Sequence, residues 1–189
     1  MRPPSELTEL RKYLSAGRRV KYVFFWSHRP SHDGLITKNC LSQWFDSSFE
    51  VDGVRYPSAE HFMMAKKAQL FRDYDAVARI LKANNPGAAK AIGRQVRGFE
   101  EEVWIAHRCS VAIKGNFAKF SQNPLLHSFL VGTADRVLVE ASPVDPIWGI
   151  GLAEDDAAAQ NPNLWKGLNL LGFALMDVRD RLRESQARA

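Results

Sequence analysis

A chain of 189 residues, 46% apolar and 25% charged, has the make-up of a soluble globular protein and can bury a substantial core. No apolar run is long enough to span a bilayer, and Met1-Arg2-Pro3-Pro4 lacks a charged-then-apolar export signal, so a cytoplasmic, non-membrane protein is expected. The net charge of +5 favours an anionic partner without separating a phosphorylated metabolite from a polynucleotide. Cys40 and Cys109 are too few and too scattered for a disulfide framework or a zinc site.

Residues 1–18 read as a polar arm with a short helix around Ser5 to Leu14, and 19–189 as one domain without repeats or linkers. Val20 to Trp26 alternates like a strand. Ser27 to Asn39, with Pro30 and Gly34, reads as a loop; His28 and His32 find no third ligand there. Phe49 and Val51, then Asp52-Gly53, then Val54 and Tyr56 spell a hairpin, because Asp-Gly tolerates the positive φ such turns need. With the Val20 strand it is expected to form a small antiparallel sheet. Pro57-Ser58 then stops the strand and opens a helix, Ser58 being a good N-cap.

On that helix, at ~100° per residue, Met63, Met64, Leu70 and Phe71 share one side, with Glu60 and Lys67 at its middle. His61, Ala65, Lys66 and Gln69 fall opposite. An acid and an amine facing a core are costly without a task or partners. Two structural readings compete: a first-turn carboxylate is favoured by the helix dipole in any case, and Lys67 can snorkel.

Helices are then expected over Asp73 to Ala83, Pro86 to Gln95 and Phe99 to Phe120, with a fourth opened by Asn123-Pro124 and ending near Gly132. Arg136 to Ala141 reads as a buried strand, 142–167 as a long irregular stretch, and Leu168 to Arg183 as a closing amphipathic helix. The irregular stretch holds Asp145, Trp148, Gly149 and Gly151, then Trp165, Gly167 and Asn169. Loops this long are usually functional, and tryptophan beside glycine suits a flat ligand wall as well as an anchored surface loop. Lys90 and Arg94 lie one turn apart, with Arg97 just beyond, a spacing that fits a phosphate clamp or a solvated basic face. No Walker or Rossmann loop, nucleophile elbow or zinc-protease helix is present.

The run Val51-Asp52-Gly53-Val54-Arg55-Tyr56-Pro57-Ser58-Ala59-Glu60-His61 with Ala65-Lys66-Lys67 resembles the YbiA-like NADAR (NAD- and ADP-ribose-associated) family. So do Ala89-Lys90-Ala91-Ile92-Gly93-Arg94, Trp104 with Lys119-Phe120, Leu138-Val139-Glu140-Ala141, Asp145 with Trp148-Gly149-Ile150-Gly151, Asn169-Leu170-Leu171-Gly172, and Met176 with Arg179. The likeness spans roughly Val23 to Leu182. It implies a mainly α (α+β) fold: a compact single-domain helical bundle with a small antiparallel β-sheet. It also implies an N-glycosidase cleaving the bond between ribose C1′ and an exocyclic amine. The family's substrates are ribosylamino-pyrimidine phosphates of riboflavin synthesis and ADP-ribosylated guanine. Met64 and Lys66, and the stretch between Gly151 and Asn169, depart from the family pattern and bear on substrate choice.

Under this resemblance Glu60 would be general acid and base, its pKa raised by the apolar face around it. Lys67, its pKa depressed by the same desolvation, would be nucleophile or electrostatic partner. Asp145 would orient water or ribose hydroxyls. Trp148, at Gly149, and Trp44 would stack on the base, Asn169 would read a polar edge, and Lys90 with Arg94 would hold phosphate. The scheme needs no cofactor and no metal. Its partner is a phosphorylated ribosyl small molecule or an ADP-ribosylated nucleic acid. A non-catalytic ADP-ribose or NAD sensor and a basic nucleic-acid-binding module are the rival readings.

Overall fold

The computed structural model describes residues 6–187. Its elements run α1 (Leu7–Ser15), β1 (Tyr22–Phe25), β2 (Phe49–Val51), β3 (Val54–Tyr56), α2 (Ala59–Leu70), α3 (Tyr74–Leu81), α4 (Pro86–Gly93), α5 (Glu101–Gln122), α6 (Pro124–Gly132), β4 (Val137–Glu140) and α7 (Leu170–Ala187). The fold is mainly helical with little strand, as the sequence implies. Among the described residues no helix is long and apolar enough to cross a membrane. The expected helix start at Ser5 lies outside the described residues, and α1 is seen from Leu7.

The chain divides into two units, one running to Ser42 and resuming at Leu125, the other covering Gln43–Pro124. The strands follow this division, and here the expected sheet is corrected. β1 does not join the hairpin. It pairs in parallel with β4, Tyr22 opposite Val137 and Phe25 opposite Glu140, while β2 and β3 form a separate antiparallel ladder. The reason is burial: Val137, Leu138 and Val139 are wholly buried, an apolar run that suits a parallel strand.

In the first unit α7 packs on β4. The approach is close because Gly172 has no side chain: a Cβ there would lie 2.1 Å from the Leu138 carbonyl oxygen. Arg179 of α7 is fully buried, donating through Nη1 to Thr133 Oγ1 at 2.9 Å and to the Arg136 carbonyl at 2.8 Å. Burial brings its pKa down to about 10.

The second unit is organised around α2, which packs against α3, α4 and α5. Phe49, Tyr56 and Phe62 form an aromatic cluster where the hairpin meets α2, with ring centroids 5.0–6.0 Å apart. Two glycines set the helix spacing. A Cβ at Gly93 would meet Met64 Sδ at 2.2 Å, and one at Gly115 would meet Phe62 Cδ1 at 2.5 Å. The expected two-sided character of α2 is a second correction. His61 and Ala65, placed opposite the apolar side, are as buried as Met63, because neighbours cover the first two turns of the helix, while Lys66 and Gln69 further along stay half-buried.

Candidate active site

The first turn of α2 is fixed by its cap. Ser58 Oγ accepts from the His61 amide at 3.4 Å, and its hydroxyl donates to His61 Nδ1 at 2.8 Å. His61 Nε2 lies 3.1 Å from the Ala83 carbonyl, which can only accept, so Nε2 carries the proton and Nδ1 takes the serine's. Burial pushes the His61 pKa below its ordinary value, keeping the ring neutral.

Glu60, next to it, is 2% exposed, and its amide donates to the Gln43 carbonyl at 3.0 Å. Gln43 extends the polar set. Its Oε1 accepts from Asn116 Nδ2 at 2.8 Å, and its Nε2 faces Met63 Sδ at 3.9 Å. Asn116, wholly buried, also donates to Ala112, while its Oδ1 has no hydrogen-bond partner among the described residues. Lys119, one turn further along α5, is wholly buried, its Nζ 5.7 Å from the Phe45 ring centre and 5.1 Å from that of Phe120. A carboxylate, two amides and an ammonium thus stand in the interior of a unit whose other buried residues are mostly apolar. Such groups cost several kcal/mol to bury unless compensated, which makes this set the strongest chemical signal in the fold.

Lys67, about 10 Å from Glu60 along the axis at two helical turns, occupies a different environment. Its Nζ donates to the Gly93 carbonyl at 2.9 Å and sits 4.1 Å over the Phe99 ring, with Trp104 at 5.9 Å. Partial burial lowers its pKa. Lys90 Nζ lies 5.9 Å from the half-buried Trp44 ring, which packs beside Gly87 of α4. Arg94 caps the same helix and is exposed. Arg97 is committed elsewhere: Nη2 donates at 2.7 Å to both Asp73 and Asp75, holding the Asp73 carboxyl well below the usual range.

The remaining predicted residues stand in the first unit. Asp145 Oδ1 accepts from the Ile147 and Trp148 amides at 3.0 and 2.8 Å, a turn that fixes the half-buried indole. Gly149 is required, since a Cβ would lie 2.8 Å from the Glu140 carbonyl. Asn169, wholly buried at φ 55°, uses both ends of its amide on β4: Oδ1 accepts from the Glu140 amide at 3.0 Å and Nδ2 donates to the Leu138 carbonyl at 2.9 Å. Glu60, Lys67, Trp44, Lys90 and Arg94 therefore share one unit, and Asp145, Trp148, Gly149 and Asn169 the other.

Sequence reasoning gave no role to Gln43, Asn116 or Lys119. The available signal was helical spacing: Ala112, Asn116 and Lys119-Phe120 fall on one stripe of α5, with two polar residues where apolar ones belong.

The NADAR domain family matches residues 24–183. The chain is 41% identical over 165 residues to N-glycosidase R617 of Acanthamoeba polyphaga mimivirus, covering 85% of this chain and 95% of that one. It is 32% identical over 133 residues to N-glycosidase YbiA of Escherichia coli (strain K12), covering 70% and 74% of the two chains. The NMR structure of YbiA superposes with a TM-score of 0.72 at 26% identity, covering 91% of this chain and 90% of that one. A 138-residue stretch, 69% of this chain but 20% of the relative, is 35% identical to the maize chloroplastic riboflavin biosynthesis protein PYRR. The protein is an enzyme, a glycosidase acting on N-glycosyl bonds. The chain belongs to the NADAR family.

Proposed function

We propose that the enzyme hydrolyses the bond between ribose C1′ and an exocyclic amine, on ribosylamino-pyrimidine phosphates or on ADP-ribosylated guanine. The observation that carries this reading is the Glu60 carboxyl, 2% exposed in the capped first turn of α2. A glycosylamine carbon bears the ring oxygen and the leaving nitrogen, so it can expel a protonated amine through an oxocarbenium-like state. Glu60 gives its proton to the departing nitrogen as the C1′–N bond breaks, then takes one from the water that adds to C1′. The products are the free amine and the ribose hemiacetal.

Lys67 supplies positive charge rather than an imine in this scheme, since its ammonium is held by the Gly93 carbonyl and the Phe99 face. Trp44 stacks on the base, and Lys90 and Arg94 hold phosphate, consistent with the pairing of Lys90 and Trp44 on the α4 side. In the other unit, Asp145 orients water or ribose hydroxyls and Trp148 offers a stacking face. Asn169 acts through β4, because its amide is already engaged there. The riboflavin half of the reading draws support from the PYRR similarity.

The deciding experiment incubates the enzyme with a ribosylaminopyrimidine phosphate and with ADP-ribosylated guanine DNA, side by side, and follows both by mass spectrometry. Loss of sugar from at least one is expected. Tight binding with no change in mass of either would overturn both proposed substrate classes.

A further inference from the structure

The polar set beside α2 holds a donor that the hydrolysis scheme leaves unused. Gln43 is 6% exposed and meets α2 at two points. Its carbonyl accepts from the Glu60 amide at 3.0 Å, and its Nε2 faces Met63 Sδ at 3.9 Å. Met63 follows Glu60 by three residues, a rise of about 4.5 Å, so Nε2 stands beside the helical turn that begins with Glu60.

Asn116 decides which end of the Gln43 amide faces that turn. Asn116 Nδ2 lies 2.9 Å from the Ala112 carbonyl, which can only accept, so this atom is the nitrogen. Its other proton goes 2.8 Å to the Gln43 amide, which must offer its oxygen there. Gln43 Nε2 is thereby turned away from α5 and brings two protons to α2. A thioether is a weak acceptor and takes one of them at most. Among the described residues the second N–H meets no acceptor. Asn116 Oδ1, buried without a hydrogen-bond partner, is the cost of holding Gln43 this way round.

An amide N–H one turn from the general acid, on the residue preceding Trp44, is placed to reach the base whose amine departs. The leaving nitrogen hangs on a ring carbon. A ring nitrogen adjoining that carbon shares the electron pair released when the C1′–N bond breaks. In guanine this atom is N3, which has a lone pair and no proton. A donor held against it draws charge from the leaving group as the bond lengthens, an interaction stronger in the transition state than in the ground state.

We propose that Gln43 is a specificity-determining residue, its Nε2 donating to an unprotonated ring nitrogen next to the amine-bearing carbon of the base. The inference rests on the proposed function and narrows it. Bases with a lone pair at that position are preferred, and bases with N–H or C–H there are rejected. In the step itself the C1′–N electron pair goes to the amine and Glu60 supplies the amine's proton. Water then gives its hydroxyl to C1′ and its proton to Glu60, while the Gln43 protons stay on Nε2.

The test measures kcat/KM for ADP-ribosylated guanine and for a ribosylamino-pyrimidinone phosphate, each beside the analogue with C–H in place of that ring nitrogen. Wild type should favour the nitrogen-bearing member of any pair it turns over by at least about tenfold. Q43M keeps a side chain of similar length without the donor, and should bring the ratio to within about twofold of one. Q43M/N116L removes both amides together, so neither leaves the other orphaned, and should give the same ratio. A residue that merely supported α2 would slow both members alike and leave the ratio unchanged.

A wild-type ratio near one, or a preference that persists in Q43M and Q43M/N116L, overturns the proposal. If wild type releases no base from any substrate, the glycosidase role of Glu60 fails by itself. Gln43 is then read by calorimetry with guanosine and 3-deazaguanosine. Tighter binding of guanosine by wild type, lost in Q43M, upholds the donor; equal binding of the two, or none, overturns it.

Discussion

Lys67 Nζ donates to the Gly93 carbonyl at 2.9 Å, tying the last turn of α2 to the C-terminal end of α4. A cation at a helix C-terminus is favourably placed, and the Phe99 ring below it adds a cation–π contact. Desolvation nevertheless wins, and the pKa falls below 10.5.

The sign of the resulting pH dependence is fixed. Between the lowered folded pKa and 10.5 the unfolded chain binds more protons, so this site makes stability rise with pH across that window. Denaturant midpoints of wild type minus Lys67→Met should therefore increase toward about pH 10.5. A flat difference would mean that Lys67 is not desolvated. Borohydride added during turnover should leave no substrate-derived mass on Lys67, and an adduct there would replace the direct route by an imine.

Glu60→Gln removes the proton donor and leaves the shape of the turn. The rate of base release should fall by about 10²–10⁴-fold, the usual worth of general acid–base catalysis, with circular dichroism unchanged. Turnover within a few-fold of wild type would take Glu60 out of the mechanism.

Arg94→Ala should raise KM for a phosphorylated substrate by about tenfold, the worth of one charge-assisted hydrogen bond, and spare its dephosphorylated analogue. Equal effects on both would dismiss the phosphate clamp.

His61 gives an acid-side prediction. Its folded pKa lies below 6.5, so as pH falls through that value the unfolded chain takes up a proton first and stability declines. Protonation would also turn Nδ1 from acceptor to donor against Ser58, loosening the turn that carries Glu60. His61→Gln should flatten the loss of melting temperature between about pH 7 and about pH 5. An unchanged slope would assign that loss to other groups.

Gly172→Ala should cost about 3 kcal/mol, the upper part of the usual overpacking range, because the clash is with the Leu138 carbonyl, a backbone atom that cannot swing aside. Gly132→Ala, with nothing within 4 Å, should stay within about 0.5 kcal/mol of wild type. Urea unfolding of the two variants checks the contrast.

Local signals reported the local structure well. Ser58, Asn85-Pro86 and Asp52-Gly53 each announced a cap or a turn, and each is found where the residues place it, with Asp52 at φ 54°. Pairing across the chain was not legible. Alternation marks Tyr22–Phe25 and Val137–Glu140 as strands, but nothing in either says that they meet in parallel. Helical periodicity also misjudged α2, since a two-faced wheel assumes one side in water, and His61 and Ala65 have none. The sequence singled out Glu60 as an acid aimed inward. It gave no role to Gln43, Asn116 or Lys119, although Lys119 belongs to a run that carries the family resemblance; the Gln43–Asn116 contact joins segments more than fifty residues apart.

The parallel pairing of β1 with β4 has a consequence for synthesis on the ribosome. Tyr22 must wait about 115 residues for Val137 to emerge, whereas Gln43–Pro124 is contiguous and its last residue is made before Val137. At roughly 5–20 residues per second that delay is on the order of ten seconds. During it the apolar strand Tyr22–Phe25 has no mate, a window in which a nascent-chain chaperone would find its target.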